Sequence, residues 1–240
     1  IHYISFLEGT SFMILWTPID WLIIPAFLLS LWAQFRVSST FNKWAEVGAS
    51  SGMTGYEAAR RLLDSNGLYD VAVEPVPGRL SDHYDPIARV VRLSEPVYYE
   101  SSIAAISVAC HEVGHAIQHK EHYPALVMRH RMFPVVRFAS GVAPFLLIAG
   151  FLFQATGLIG AGILFFAAAV AFQLVTLPVE FNASSRARDL MVAEGFIRSD
   201  EERGVAKVLN AAALTYVGAA LISLLELIKY IWLFTQSNNE

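Results

Sequence analysis

The sequence predicts a mostly α, polytopic helical membrane protein of about four spans, with a small cytoplasmic α+β layer. Three observations predict it. Of the 240 residues 55% are hydrophobic and only 16% charged, with a positive mean hydropathy, a balance an average soluble domain does not carry. Four apolar runs, about 12–35, 136–154, 158–178 and 211–234, are each long enough to cross hydrocarbon. The basic residues are sorted by stretch: of the 17 Lys and Arg, all but Lys229 fall in 36–137 and 180–208. By the positive-inside rule the soluble stretches 36–135 and 180–208 are cytoplasmic and both termini lie on the other side. The chain reads as a single membrane-embedded domain over 1–240.

The first run, Ser11 to Phe35, is broken only by Pro18, Asp20, Pro25 and Gln34. It is too long for a signal-peptide core and lacks the basic residues that precede one. Gln34 to Trp44 mixes basic and aromatic residues, as a segment lying along the headgroup level should. Thr54-Gly55-Tyr56-Glu57 is a capping box and Gly67 a left-handed stop, so 55–66 is a short helix. From Val71 the period changes to two: Val71–Val76 and Ala88–Leu93 are strands, with Pro77-Gly78 a turn and Asp82-His83-Tyr84-Asp85-Pro86 between them. The strand at Ala88–Leu93 is read either as an exposed edge able to pair with an extended peptide or as half of a plain hairpin. Ser94-Glu95-Pro96 then opens helical structure that ends at His119–Pro124. Ala155-Thr156-Gly157 joins the second and third runs in a tight turn.

Chemistry concentrates in His111-Glu112-Val113-Gly114-His115, which follows the apolar, helix-forming stretch Ser101–Ala109. On a helix, His at i and i+4 are about 40° apart in azimuth and one turn apart in height, so both rings reach one Zn²⁺ while the intervening Glu leans over the same ion. The layer is therefore zincin-like. Two imidazoles and a carboxylate are costly to bury unpaired, which weighs against a plain core helix. A catalytic zinc takes three protein ligands and keeps a fourth position for water. His119 is not the third, because eight residues of helix put it about 12 Å from His111. Cys110 points about 100° away and reads as a small buried hydrophobe. The remaining candidates are acidic: Glu180, Asp189 and Glu194. Glu180 is chosen on placement, since it follows Leu177-Pro178-Val179 at the cytoplasmic end of the third span, where an acid facing protein is expensive unless used. It starts a helix through Asp189, and Ser184, one turn on, is placed to orient it. Asp189 and Glu194 sit among solvated charges.

Several separate blocks now carry a resemblance. They are Gln34–Trp44; Gly52–Gly55 with Ala59–Gly67; Gly78–Pro86; His111–Gln118; Thr176–Ser184; and Val208–Tyr216. In this order they resemble the YugP-type membrane zinc metallopeptidases, a bacterial family also described as neutral zinc metallopeptidases, from about Gln34 to the end of the fourth span. A more distant similarity is to the HtpX and CAAX-prenyl proteases, whose third ligand is a Glu in a Glu-x-x-x-Asp pattern; here it reads Glu180-x-x-x-Ser184, which implies Glu180 as ligand. The resemblance implies a peptidase of the bacterial inner (plasma) membrane holding one Zn²⁺ per chain.

The expected activity is zinc-dependent endopeptidase cleavage near the cytoplasmic membrane surface, with His111, His115 and Glu180 as metal ligands and Glu112 as general base and acid. His83, Tyr84, Arg186 and Tyr216 are the candidates to meet the developing oxyanion. The expected partners are the membrane and a protein or peptide substrate, membrane proteins among them. No basic stripe with interleaved aromatics suggests nucleic acid, and a single Cys fits a reducing compartment. The competing class is a non-catalytic, zinc-stabilised membrane scaffold or chaperone-like partner. Glu112 discriminates, because structural zinc has no need of a non-liganding carboxylate and usually takes four protein ligands, Cys among them. The intramembrane polar residues are too few, and show no repeat, for a transporter.

Overall fold

A computed structural model describes residues 17–237. Residues 12–16 of the expected first span therefore lie outside the described residues. The elements run α1 (Asp20–Ala45), α2 (Gly55–Ser65), β1 (Ala72–Val76), β2 (His83–Asp85), β3 (Val90–Ser94), α3 (Glu95–Tyr99), α4 (Ile103–Lys120), α5 (Pro124–Leu152), α6 (Thr156–Ala193) and α7 (Glu202–Ser237). Four of them, α1, α5, α6 and α7, are long and apolar enough to cross a membrane. The chain divides into two compact units.

One unit takes residues 17–31, 128–176 and 216–237, the apolar stretches of those four helices. In lipid, apolar burial drives no association, so helices close on small residues. A Cβ on Gly150 would stand 2.6 Å from Ile159 Cγ1 and one on Gly162 2.8 Å from Leu147 Cγ, which lets α5 and α6 pack backbone to backbone. Their three-residue connection turns on Gln154 in the left-handed region (φ 53). Ala143, Phe166 and Val170 form a core, with Phe165, Leu227 and Tyr230 against it. Leu164, Phe138 and Phe145 point outward and stay exposed, as lipid-facing side chains do. Asp20 and Lys229 form a buried ion pair at 2.6 Å.

The other unit takes residues 32–127 and 177–215. Its core is built on Leu62, Leu63, Leu93, Val97, Ile106, Val113, Met191 and Phe196. Thr54 and Glu57 close the capping box that starts α2, and Gly67 (φ 68) follows its end. Ser102 caps α4 by accepting the Ala105 N–H at 3.1 Å. From Ile103 to Gln118 α4 is buried nearly all round, which the low polarity of its first half anticipates.

Several expectations are corrected. Gln34–Trp44, expected to lie along the membrane surface, continues α1 as regular helix to Ala45. Glu180 does not start a new helix, because α6 runs unbroken through Pro178; hydropathy marks where apolarity stops, and a helix can continue past that point into a protein core. The strands do not form a plain hairpin. A third strand, β2, occupies the Asp82–Pro86 stretch, β1 runs parallel to β3, and the order is β1-β3-β2. Val90–Arg92 is thus paired on both sides, so β3 is not the exposed edge considered for a peptide; the edges are β1, interrupted by Pro75, and β2. Period-two patterning marks a strand but does not name its neighbours.

Leu62→Ala should cost about 2–5 kcal/mol as a cavity in this core, whereas Asp189→Ala, on an exposed face, should stay within about 0.5 kcal/mol. Denaturant or thermal unfolding of the detergent-solubilised chain checks both.

Candidate metal centre

The helical period of α4 places His111 and His115 on one side, ring centroids 4.8 Å apart and nearly perpendicular. Glu180 enters from α6, its Oε2 3.3 Å from His111 Nε2 and 3.5 Å from His115 Nε2. The three ligand atoms lie within 4.8 Å of one another. The helices meet this closely because Gly114, between the two His, faces Ala183: a Cβ there would stand 2.8 Å from the Ala183 carbonyl oxygen.

The outer hydrogen bonds decide how the rings are protonated. Gln118 Nε2 donates to the Val179 carbonyl at 2.8 Å. A carbonyl only accepts, so the amide oxygen must face His115, whose Nδ1 lies 3.0 Å away and must donate. In the neutral ring His115 Nε2 is then a lone pair, aimed at a carboxylate oxygen in a buried site. A positive species between them removes the repulsion. Tetrahedral zinc with bonds of about 2.0–2.1 Å holds its ligand atoms about 3.3–3.4 Å apart, close to both observed separations. Two imidazole nitrogens and one carboxylate are donor types that zinc takes, so the residues present fit a zinc ion. Ser184, expected beside Glu180, instead places its Oγ 3.2 Å from His111 Nδ1 and so orients the other imidazole.

Glu112 is buried beside this group without joining it. Burial pushes its carboxyl up to about 7; the Asp82 and Glu180 charges act in the same direction, while His111 and a hydrogen bond from the Tyr84 main-chain N–H oppose them. A cation in the site would draw it back down. That N–H ties the carboxylate to β2, and Asp82, just before β2, accepts the Ser94 N–H at 2.7 Å and its hydroxyl at 3.0 Å. The β2 strand is thus anchored just ahead of the N–H that supports Glu112.

The oxyanion candidates are placed as follows. The Tyr84 hydroxyl is 2.9 Å from His119 Nδ1. Strand alternation turns the neighbouring His83 the other way; it is exposed, its Nδ1 2.8 Å from the Ser81 carbonyl. Arg186 bonds Asn182 Oδ1 at 2.8 Å and pairs with Glu121 at 2.7 Å. Tyr216 belongs to the other compact unit. None of the four belongs to the group His111, His115 and Glu180. His119 is likewise outside the cluster, Cys110 is buried, and Asp189 lies exposed beside Arg188. Two polar residues were not singled out from sequence, Gln118 and Asn182. The available signal was Gln118 itself, a polar residue three positions after His115, hence on the same face of an otherwise apolar helix.

The family described as "Putative neutral zinc metallopeptidase" matches residues 19–235. The chain belongs to that family. It is 65% identical over 219 residues, 91% of this chain and 97% of the relative, to "Putative membrane protease YugP" of Bacillus subtilis (strain 168). No solved structure matches it.

In this chain, Glu180→Ala should lose zinc, whereas His119→Ala and Asp189→Ala should keep close to one ion per chain by elemental analysis of the purified protein. Zinc retained in the first and lost in either of the others would overturn the ligand assignment. Gly114→Ala should force α4 from α6, costing about 1–3 kcal/mol and weakening zinc binding; a chelator titration and an unfolding curve check the two effects.

Proposed function

We propose that the chain is a zinc-dependent integral-membrane endopeptidase acting near the cytoplasmic membrane surface, with His111, His115 and Glu180 as zinc ligands and Glu112 as general base and acid. The observation that carries this reading is a buried carboxylate, Glu112, set beside a three-donor cluster and held by a main-chain N–H rather than used as a fourth ligand. Zinc held there supplies polarisation of the scissile carbonyl and acidifies the attacking water. Glu112 takes the proton of that water on its carboxylate and returns it to the leaving amine, the general base and acid role its position beside the cluster suits. Ser184 and Gln118 hold the imidazoles so that their Nε2 atoms converge. The short β2 strand, whose Tyr84 N–H reaches Glu112, offers the edge along which an extended peptide would pair.

Position along the chain supports cleavage close to the bilayer. Glu180 follows Pro178 by two residues, and about 20 residues separate His115 from the second apolar run. The distribution of Lys and Arg favours a cytoplasmic site with both termini outside. Substrates on this reading are membrane proteins cut near the headgroups, or extended tails. The scaffold alternative has less support, since the group found among the described residues offers three donors and no Cys.

Turnover of membrane-protein and peptide substrates by the purified chain, beside Glu112→Gln, tests the reading. The variant should keep its zinc and lose about 10²–10⁴-fold in kcat/KM. Equal cleavage by both, or inertness of both across a broad substrate panel with zinc bound, would sink it.

A further inference from the structure

Gln118 is fully buried, and every polar atom of its side chain is committed. Its Oε1 meets His115 Nδ1 at 3.0 Å; its Nε2 donates to the Val179 carbonyl at 2.8 Å and to Asn182 Oδ1 at 2.9 Å. The polarity of this chain of bonds is fixed at both ends by groups that cannot reverse. Val179 offers a carbonyl, which only accepts. Arg186 offers a guanidinium, which only donates, and its Nε bonds the same Asn182 oxygen at 2.8 Å while its other arm pairs with Glu121. Asn182 Oδ1 therefore accepts from both sides, the Gln118 amide can point only one way, and His115 carries its proton on Nδ1. The backbone acceptor is also the residue immediately before Glu180. One side chain on α4 thus sets the protonation of one candidate ligand and grips the main chain of α6 beside another.

We propose that Gln118 is the positioning residue of the metal centre: it holds His115 in the tautomer that leaves Nε2 for the ion, and it fixes the register of α4 on α6 that brings Glu180 to both imidazoles. This rests on the zinc reading of His111, His115 and Glu180. Asn182 is the second link, locking the Gln118 amide, and Arg186 acts through it rather than at the ion. A Gln that merely tied two helices would share the α6 bonds; the bond to His115 Nδ1 is what couples it to metal affinity.

The test uses the full-length protein in detergent, with zinc dissociation constants measured by competition against a chelator of known affinity. Unfolding of the metal-free protein and the visible absorption of the Co²⁺-loaded form are measured alongside. Gln118→Met keeps the bulk and removes all three bonds. It should weaken zinc binding about 10–100-fold, the usual cost of losing such an outer partner, and alter the Co²⁺ spectrum. Gln118→Glu keeps an acceptor for His115 but turns oxygen toward Val179 and Asn182, so it should also bind more weakly. Asn182→Asp preserves the acceptor and should bind zinc as the wild type does. Should Gln118→Met fail to fold, Asn182→Leu at a half-buried position reads the same link, with a smaller loss of affinity. If Gln118→Met, or Asn182→Leu in its place, binds zinc as tightly as wild type and gives the same Co²⁺ spectrum while only the metal-free stability falls, the role is merely structural and the inference is overturned. A wild-type chain that takes up no zinc would overturn the metal reading itself, a result distinct from equal affinities.

Discussion

A carboxylate buried against two imidazole nitrogens is the constraint on which the unit of residues 32–127 and 177–215 depends. Glu180 is 3% exposed, and its Oε2 faces two Nε2 atoms; in the neutral ring the hydrogen bond on the far side of His115 leaves its Nε2 as a lone pair. Such a group is expensive to bury without a compensating positive charge, and a divalent cation would supply it for all three donors together. The demand propagates outward. It requires α4 and α6 in near backbone contact, which Gly114 against Ala183 permits, and it requires rings that cannot rotate, which Ser184 and Gln118 provide.

The small sheet serves the same site from the other side. Central β3 is mostly buried and carries β2 on its flank, so the Tyr84 N–H is presented to Glu112 by a strand that is itself fastened by register, by the Asp82 to Ser94 bonds and by the Tyr84 hydroxyl on His119. Glu112 is therefore aimed by main chain, which mutation of neighbouring side chains disturbs less than it would a side-chain partner. Its raised carboxyl comes mainly from burial, and neighbouring Asp82 and Glu180 add to it. The raised carboxyl is thus a property of the packed layer.

The apolar unit obeys a different physics. Its exposed Leu, Phe and Trp side chains would be unusual on a soluble protein and are ordinary on a surface facing lipid; α5 and α6 close on one another at Gly150 and Gly162. The buried Asp20 to Lys229 pair joins α1 to α7; in hydrocarbon each charge requires the other.

By itself the sequence determined the local and the compositional. The apolar runs, the capping box at Thr54, the helix carrying His111, Glu112 and His115, and a short list of acids that included Glu180 all follow from periodicity, spacing and hydropathy, which are written within a few turns of chain. The tertiary structure alone decided which of those groups meet. That β3 sits between two strands, that Ser184 holds His111 rather than Glu180, and that Gln118 grips Val179 across 61 residues depend on how α4 crosses α6 and how β1 passes over to lie parallel to β3. Those contacts are made by side chains far apart in sequence, whose partners are chosen by shape and hydrogen-bond polarity in the folded core, and neither quantity leaves a period for a local reading to find.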